Sequence, residues 1–475
     1  MKRLRVLIVA AEAMPFVKTG GLADVVGALP RALARAGVEA AVMMPKHSRI
    51  KELHQSELET VAASGVRLGW REKYLGVQTM EWNGVRYYFI DNEEYFGGSV
   101  YKGGKAEDEQ YLFFCEAVLA AVPLIPFKPD IIHCNDWHTG MIPMLLKIRD
   151  GLSVTRRSVF TIHNIKFQGM MGFEMIQDFL SVPKRYDTPE FLEAHGCANM
   201  MKAALVFADK ITTVSPTYAK EIMHAYFGMG MEGILSARRN DVTGIVNGID
   251  TETFNPETDP ALARRYGPAT MRGKTENKKA LRETFGLDIR LYDPVICMVN
   301  RLTAQKGLDL VQYVLEELLR EEVAFVLLGD GDQKYVDFFR YIAAGYPKKT
   351  GIFIGYDEEV AHRIYAGSDF LLMPSQFEPC GLSQMIAQRY GTLPIVRETG
   401  GLADTVAPYN RYTKTGDGFS FGAFNAHDML HVIRLALSVY RDKPMLRQLK
   451  KNAMLKNNDF FQSAQQYKTL YESIV

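Results

Sequence analysis

Short apolar runs alternate with helix-period segments along almost the whole chain, and this alternation restricts the fold more than any other feature. Val6-Leu-Ile-Val-Ala10, Asp130-Ile-Ile-His133, Ser158-Val-Phe-Thr-Ile162 and Lys210-Ile-Thr-Thr-Val214 read as buried strands. In the second half, Val295–Val299, Val323–Leu328, Ile352–Ile354, Phe370–Met373 and Leu393–Val396 do the same. Between them, Leu22, Val25, Val26, Leu29 and Leu33 mark one helical face, which Pro30 is expected to kink. Leu382, Met385, Ile386 and Arg389 mark another, ended by Gly391. Strands alternating with helices build parallel sheets from βαβ units, so the fold class is α/β.

At 475 residues the chain exceeds what one hydrophobic core usually organises. An internal echo indicates how it divides. Thr19-Gly-Gly-Leu-Ala-Asp24 recurs letter for letter as Thr399-Gly-Gly-Leu-Ala-Asp404, each copy following a strand-like run and opening a helical pattern. Two similar βα turns would explain the match locally. The sharper reading is two Rossmann-like, doubly wound halves, each presenting a glycine-rich turn toward a shared cleft. Asn247-Gly-Ile-Asp250 and Phe254-Asn-Pro256 are turn-rich and residues 256–279 are polar and charged, which puts a hinge near residues 245–250.

Composition excludes several classes. Lys and Arg number 56 against 55 Asp and Glu, a formal net charge of +1, so no strong positive field is offered to nucleic acid. A neutral partner, or a small anion held in one pocket, fits better. Cys115, Cys134, Cys197, Cys297 and Cys380 are scattered, with no CxxC pair. Neither a disulfide framework nor a zinc site is indicated, and a reduced cytoplasmic setting is expected. Val6 to Ala11 is too short to span a membrane and is followed by glutamate and proline rather than a cleavage site. No run elsewhere approaches ~20 apolar residues, so no membrane span is expected.

Five stretches can carry chemistry. Lys18-Thr-Gly20-Gly21 joins a cation to paired glycines before a helix, where backbone N–H groups and the helix dipole favour an anion such as a pyrophosphate. Arg301 and Lys306 lie on the loop after the Val295–Val299 strand, where an open α/β sheet faces its ligand crevice. Glu378-Pro-Cys380-Gly381-Leu382 sets a carboxylate beside another helix start. Asp136, His138, His163 and Asn164 follow strands of the first half, where polar side chains reach sugar hydroxyls, while His133 reads as a core residue. The His/Asp/His spacing matches no standard metal pattern. Gly228-Met-Gly-Met-Glu-Gly233 fits GxGxxG but follows a helical segment, not a strand. Asp330-Gly-Asp332 resembles a metal-holding acidic pair, yet a strand-closing turn explains it more simply.

Taken in order, Lys18-Thr-Gly-Gly, His133-Cys-Asn-Asp-Trp-His, Thr161-Ile-His-Asn, Val246-Asn-Gly-Ile-Asp, Arg301-Leu-Thr-Ala-Gln-Lys-Gly, Glu378-Pro-Cys-Gly-Leu and Thr399-Gly-Gly-Leu-Ala-Asp resemble the bacterial glycogen synthase and plant starch synthase family from residue 4 to the end. The resemblance implies the GT-B architecture, with domains 1–245 and 246–455, a helix in 456–475 returning to the first, and catalysis in the interdomain cleft. It implies ADP-glucose as donor and the non-reducing end of an α-1,4-glucan as acceptor, with no cofactor, metal, nucleic acid or membrane. Carried over by motif, Lys18 and Gly21 meet the nucleotide diphosphate, joined by Arg301, Lys306 and backbone N–H groups at Gly381-Leu382, and Gly20, Asp24, Cys380, Thr399 and Gly400 are counted with the substrate-binding residues. Tyr356 matches the residue that stacks on adenine. His163, Asn247 and Glu378 match residues around the transferred glucose, with Asp136 on the acceptor side and Asn164 counted with the substrate-binding residues. Many related retaining enzymes carry a second glutamate eight positions after the first; Ile386 stands there, so that residue's roles do not transfer. A UDP-glucose transferase of the same architecture and a non-catalytic glucan-binding protein are the alternatives.

Overall fold

The structure, a computed structural model, describes residues 3–149 and 156–475. The chain forms two compact units: Met1–Gly248 together with Phe460–Val475, and Ile249–Asp459.

The strands of the first unit are β1 (Arg5–Val9), β2 (Glu39–Pro45), β3 (Glu59–Leu68), β4 (Arg71–Trp82), β5 (Val85–Asp91), β6 (Ile131–Asn135), β7 (Arg157–Ile162), β8 (Met170–Met171), β9 (Glu193–Ala194), β10 (Cys197–Asn199), β11 (Lys210–Thr213) and β12 (Val242–Gly244). Nine of them form one sheet in the order β12-β11-β7-β6-β1-β2-β5-β4-β3, and β8-β10-β9 form a small separate one. The ladders from β12 through β5 are parallel; β4 and β3 extend the sheet as antiparallel strands. Period-two alternation splits each central strand between two cores. Leu7, Val9, Met43, Ile132 and Phe160 enter one core; Val6, Ile8, Val42, Met44 and Ile131 enter the other. Both faces are covered, which is why these strands read as continuous apolar runs.

The helix Gly21–Arg35 runs through Pro30 and buries Val25, Val26, Leu29 and Leu33 in the second of these cores. The final helix, Phe460–Glu472, packs into the same core through Phe460, Ala464, Tyr467 and Tyr471. Polar ties hold it there: Lys468 Nζ donates to Ala36 O at 3.0 Å, Ser463 Oγ to Val246 O at 2.6 Å, and Tyr471 OH meets His133 Nδ1 at 2.7 Å.

The second unit holds β13 (Val295–Val299), β14 (Ala324–Gly329), β15 (Thr350–Ile354), β16 (Phe370–Met373), β17 (Leu393–Arg397) and β18 (Phe419–Phe421). They form one parallel sheet ordered β15-β14-β13-β16-β17-β18, which is the 3-2-1-4-5-6 order of a Rossmann fold. The first unit follows the same scheme, its connections reversing between β1 and β6 as those of the second reverse between β13 and β16. Ligands of such sheets bind past the carboxyl ends of the strands at that reversal.

The polar stretch 256–279 is more than a solvated connection. Its end lies in the helix Arg272–Phe285, which buries Lys274 and Lys278. Lys278 Nζ and Lys450 Nζ pair with the two oxygens of Asp369 at 2.6 and 2.8 Å. Burial works to raise the Asp369 carboxyl, but the two ammonium groups outweigh it and hold it below the ordinary carboxylate range. Lys274 Nζ is surrounded by Tyr365 O, Ala366 O, Tyr390 O and Thr392 Oγ1. Each buried ammonium is thus supplied with acceptors, which is what permits its burial.

Candidate functional site

In the second unit the reversal point is crowded by loops after β13, β16 and β17. The β13 loop is braced from beside: Leu302 N donates to Asp330 O at 2.8 Å and Asp332 N to Leu302 O at 2.7 Å. The Asp330-Gly-Asp332 turn therefore closes β14 and supports the segment that carries Arg301. Past Leu302 the loop forms the short turn Ala304–Lys306. Gly307 then adopts φ +71°, with the position of a Cβ only 2.0 Å from Pro374 O, so the β13 loop lies directly on the β16 loop.

That close approach brings Lys306 Nζ to 2.6 Å from Glu378 Oε2, which also accepts from Ser375 Oγ at 3.0 Å. The two side chains are only 15% and 7% exposed. Arg301 stands exposed on the same loop. Gln376 N donates to Gln305 O at 2.8 Å, and Arg397 Nη1 to Gln376 O at 2.5 Å, so the three loops are stitched together. Gly400 (φ +46°) brings the Thr399-Gly-Gly turn against Glu378, its Cβ position 2.0 Å from Glu378 O, and Gly401 N donates to that oxygen at 3.0 Å. Thr399 and Gly400 are buried and hold the glutamate's backbone in place.

Cys380 is 5% exposed. Gly381 and Leu382 lead into the helix Ser383–Arg389, whose Gln384 Nε2 donates to Cys380 O, Gly381 O and Thr405 Oγ1 at 3.0, 2.9 and 2.9 Å. Ile386 is buried and apolar, so this helix offers no second carboxylate there. Tyr356, two residues past β15, is 63% exposed.

In the first unit, the segment after β1 turns back on itself. Glu12, 2% exposed, accepts from Thr19 N at 2.5 Å and Thr19 Oγ1 at 2.7 Å. Burial raises its carboxyl above the usual value, against the opposing effect of the Thr19 bonds. The fold of this loop sets Gly20 at the cap of the Gly21–Arg35 helix and Lys18 Nζ at 2.7 Å from Asp24 Oδ1. A lysine, the N–H groups of a helix start without a side-chain cap, and paired glycines together suit an anion.

The loops after β6 and β7 join through Asp136, whose Oδ1 accepts from His163 N at 2.7 Å and Asn164 N at 3.4 Å. Burial pushes the Asp136 carboxyl up to about 7, although these two N–H groups oppose the shift. Burial lowers His163 to about 3, so the ring is neutral at ordinary pH. Asn135 Nδ2 donates to Val9 O and His133 O, which leaves Asn135 Oδ1 to accept from His163 Nε2 at 2.9 Å. The ring therefore keeps its proton on Nε2 and a lone pair on Nδ1. Asn164 Oδ1 accepts from Lys166 N at 3.1 Å, turning the chain toward Phe167. His133 lies inside the sheet, bonded to Tyr471 and to Thr161 Oγ1 at 2.6 Å, as a core residue. Asn247 follows the edge strand β12 and stands apart from this group in sheet order.

Two residues of this neighbourhood escaped the sequence reading. Glu12 had a signal, a carboxylate just past the first strand. Tyr101, partly buried close to Glu12, Thr19 and Asp136, had none, because it comes from an irregular segment before the helix Gly104–Ala121. The GxGxxG match runs from the last residue of one short helix, Ala225–Gly228, into the first turn of the next, Glu232–Ala237, and follows no strand. Among the described residues no group of three or more His, Cys, Asp or Glu is placed to hold a metal ion, and no helix is long and apolar enough to cross a membrane.

Comparison with known proteins agrees with this layout. The family described as starch synthase catalytic domain matches residues 5–237, and that described as glycosyl transferases group 1 matches residues 282–456. Glycogen synthases from Geobacillus thermodenitrificans and Geobacillus stearothermophilus are each 51% identical over 99% of this chain and 98% of their own length. The catalytic domain of starch synthase IV from Arabidopsis thaliana, bound to ADP and acarbose, superimposes with a TM-score of 0.92 at 31% identity, covering 99% of both chains. A sucrose-phosphate synthase from Thermosynechococcus elongatus, 17% identical with a TM-score of 0.64 over 99% of both chains, shares the fold. The chain is a glycosyltransferase of GT-B fold and belongs to the glycogen and starch synthase family.

Proposed function

We propose that this chain transfers glucose from ADP-glucose to the non-reducing end of an α-1,4-glucan with retention of configuration, relying on fixed charges of its own. The observation that carries the reading is the Lys306–Glu378 pair, 2.6 Å apart at the reversal point of the second unit's sheet, with Arg301 exposed on the same loop. Breaking a glucose–phosphate bond leaves positive charge at the anomeric carbon and builds negative charge on the departing nucleotide. Preorganised cations aimed at that nucleotide favour the transition state over the ground state. Lys306 and Arg301 supply such charge, while Glu378 sets a carboxylate beside the forming glucosyl cation. The Gly381–Leu382 backbone and Tyr356, a flat exposed ring at the end of β15, suit a diphosphate and a nucleobase respectively. The ADP and acarbose bound to the Arabidopsis domain support pairing a nucleotide with a sugar chain.

Retention here is assigned to attack on the same face as departure. Glu378 is held by Lys306 and Ser375, and Ile386 supplies no acid–base partner for a covalent glucosyl-enzyme. His163, neutral with an open lone pair, orients a hydroxyl rather than delivering a proton. The test is ADP release from ADP-glucose and from UDP-glucose, with and without glycogen, each repeated with EDTA. Glycogen-dependent ADP release that EDTA leaves unchanged is expected. Preference for UDP-glucose would remove the donor assignment, and retention on glycogen with no ADP release would make the chain a binding protein.

A further inference from the structure

The second unit has a cavity of about 370 Å³ at the amino ends of β13 and β14, the opposite edge of the sheet from the loops that carry Arg301 and Glu378. Its walls come from residues 290–294, from Glu321 and Glu322 ahead of β14, and from the junction between the helices Ala426–Arg441 and Lys443–Leu455. We propose that it binds the phosphate monoester of a small ring-bearing molecule, at a site separate from the one assigned to the donor nucleotide. The volume falls within the ~300–1,000 Å³ of small-molecule sites, enough for one hexose or nucleoside ester.

The charges around the cavity do not cancel. Arg290 Nη2 pairs with Asp293 Oδ1 at 2.9 Å and with Glu322 Oε2 at 2.6 Å, and Arg434 Nε pairs with Glu321 Oε1 at 2.8 Å. Each lining carboxylate therefore has a guanidinium. Arg441 and Lys443, both exposed, have no carboxylate within ion-pair distance among the described residues. Asp442 stands between them in sequence but caps the following helix, accepting from Met445 N at 3.2 Å. Two uncompensated cations match a phosphate monoester, which carries about −1.5 to −2 near pH 7, and the guanidinium offers it a planar fork. The positive excess continues behind them. Lys443 Nζ lies 3.8 Å from the centre of the Tyr440 ring, and Lys278 Nζ meets Tyr440 OH at 2.9 Å. Lys278 and Lys450 share the single carboxylate of Asp369. Partial burial, opposed by Asp369 and aided by Lys450, holds the Lys443 ammonium below its ordinary range, a shift that a bound anion reverses.

The ring of such a ligand also has a surface to lie on. Tyr292 is 75% exposed on a turn fixed from below, where Asp293 Oδ2 accepts from Arg290 N at 2.9 Å and Lys278 Nζ donates to Asp293 O at 2.6 Å. Pro294 and Leu437 add apolar wall. An aromatic face mounted on a rigid turn suits a flat or C–H-rich ring and lowers the ordering cost of binding it.

The experiment is calorimetry with glucose 6-phosphate, adenosine 5′-phosphate and inorganic phosphate, with and without excess ADP, on wild type, Tyr292→Ala and the double variant Arg441→Ser/Lys443→Ser. All three side chains are exposed, so their loss leaves the fold. At least one ester should bind wild type in excess ADP, and bind the double variant at least about tenfold more weakly. Tyr292→Ala should bind that ester no better than inorganic phosphate. The tighter of the two esters tells a sugar ligand from a nucleoside one. Equal affinity in wild type and the double variant would overturn the site, as would binding that excess ADP abolishes, which would place the ester at the donor site. No saturable binding of either ester to wild type by about 10 mM would overturn it too.

Discussion

At the scale of single residues, burial separates the two cations of the second unit. Arg301 is exposed, so Arg301→Ala should lower kcat by about 10²–10³-fold while Tm stays within a degree or so of wild type. Lys306 is part of a largely buried pair, so Lys306→Ala strands the Glu378 charge and should cost stability as well as turnover, by about 3–5 kcal/mol at most. Parallel melts and ADP-release assays on both variants check this; a Lys306→Ala protein as stable as wild type would mean the pair contributes nothing to the fold. The loop's sequence gives no hint that its lysine is covered while its arginine is exposed. Asp136 makes a prediction with a definite sign. Its carboxyl titrates near 7 when folded, against about 3.9 unfolded. Between those values the folded state holds the extra proton, so stability from the protonated form is complete at low pH and is lost as pH rises through 7. Wild-type Tm should fall relative to Asp136→Asn from about pH 4 to 7 and run parallel to it above about pH 8. A constant offset across that range would assign Asp136 an ordinary titration.

Among the elements, the three stitched loops of the second unit depend on glycine geometry. Gly400→Ala would place a methyl 2.0 Å from Glu378 O at φ +46°, so it should destabilise by more than about 1 kcal/mol and lower kcat by displacing Glu378. Circular dichroism beside the ADP-release assay measures both, and full activity would show that the turn relaxes without moving the glutamate. The nine strands read from sequence all lie within or overlap observed strands, because both-face burial writes continuous apolar runs. β2 and the β3–β5 extension were not read. β3 is largely exposed and mixes polar with apolar residues, an edge strand without the apolar run that marks the central strands. The buried lysines of the Arg272–Phe285 helix read only as part of a polar, charged stretch, since sequence shows a charge but not the carbonyls and carboxylate that receive it. The motif loops were legible because strand ends announce them. Glu12 and Tyr101 became visible only when the fold brought separate segments together.

For the whole molecule, the first unit is completed by residues from the far end of the chain. Deleting residues 460–475 would uncover Val25, Leu29 and Leu33 and remove one of the two partners of the buried His133 ring, so the truncated protein should aggregate or lose its cooperative melt. A soluble truncation with the wild-type Tm would show that the helix is dispensable. This arrangement also orders events on the ribosome. The Ile249–Asp459 unit is continuous in sequence and has emerged in full while the earlier-made unit still lacks its closing helix. The part synthesised first is therefore finished last. Until residues 460–475 are made, the nascent polypeptide carries an open apolar face for chaperones to shield, and synthesis stalled just short of residue 460 would leave every earlier element made but that face uncovered.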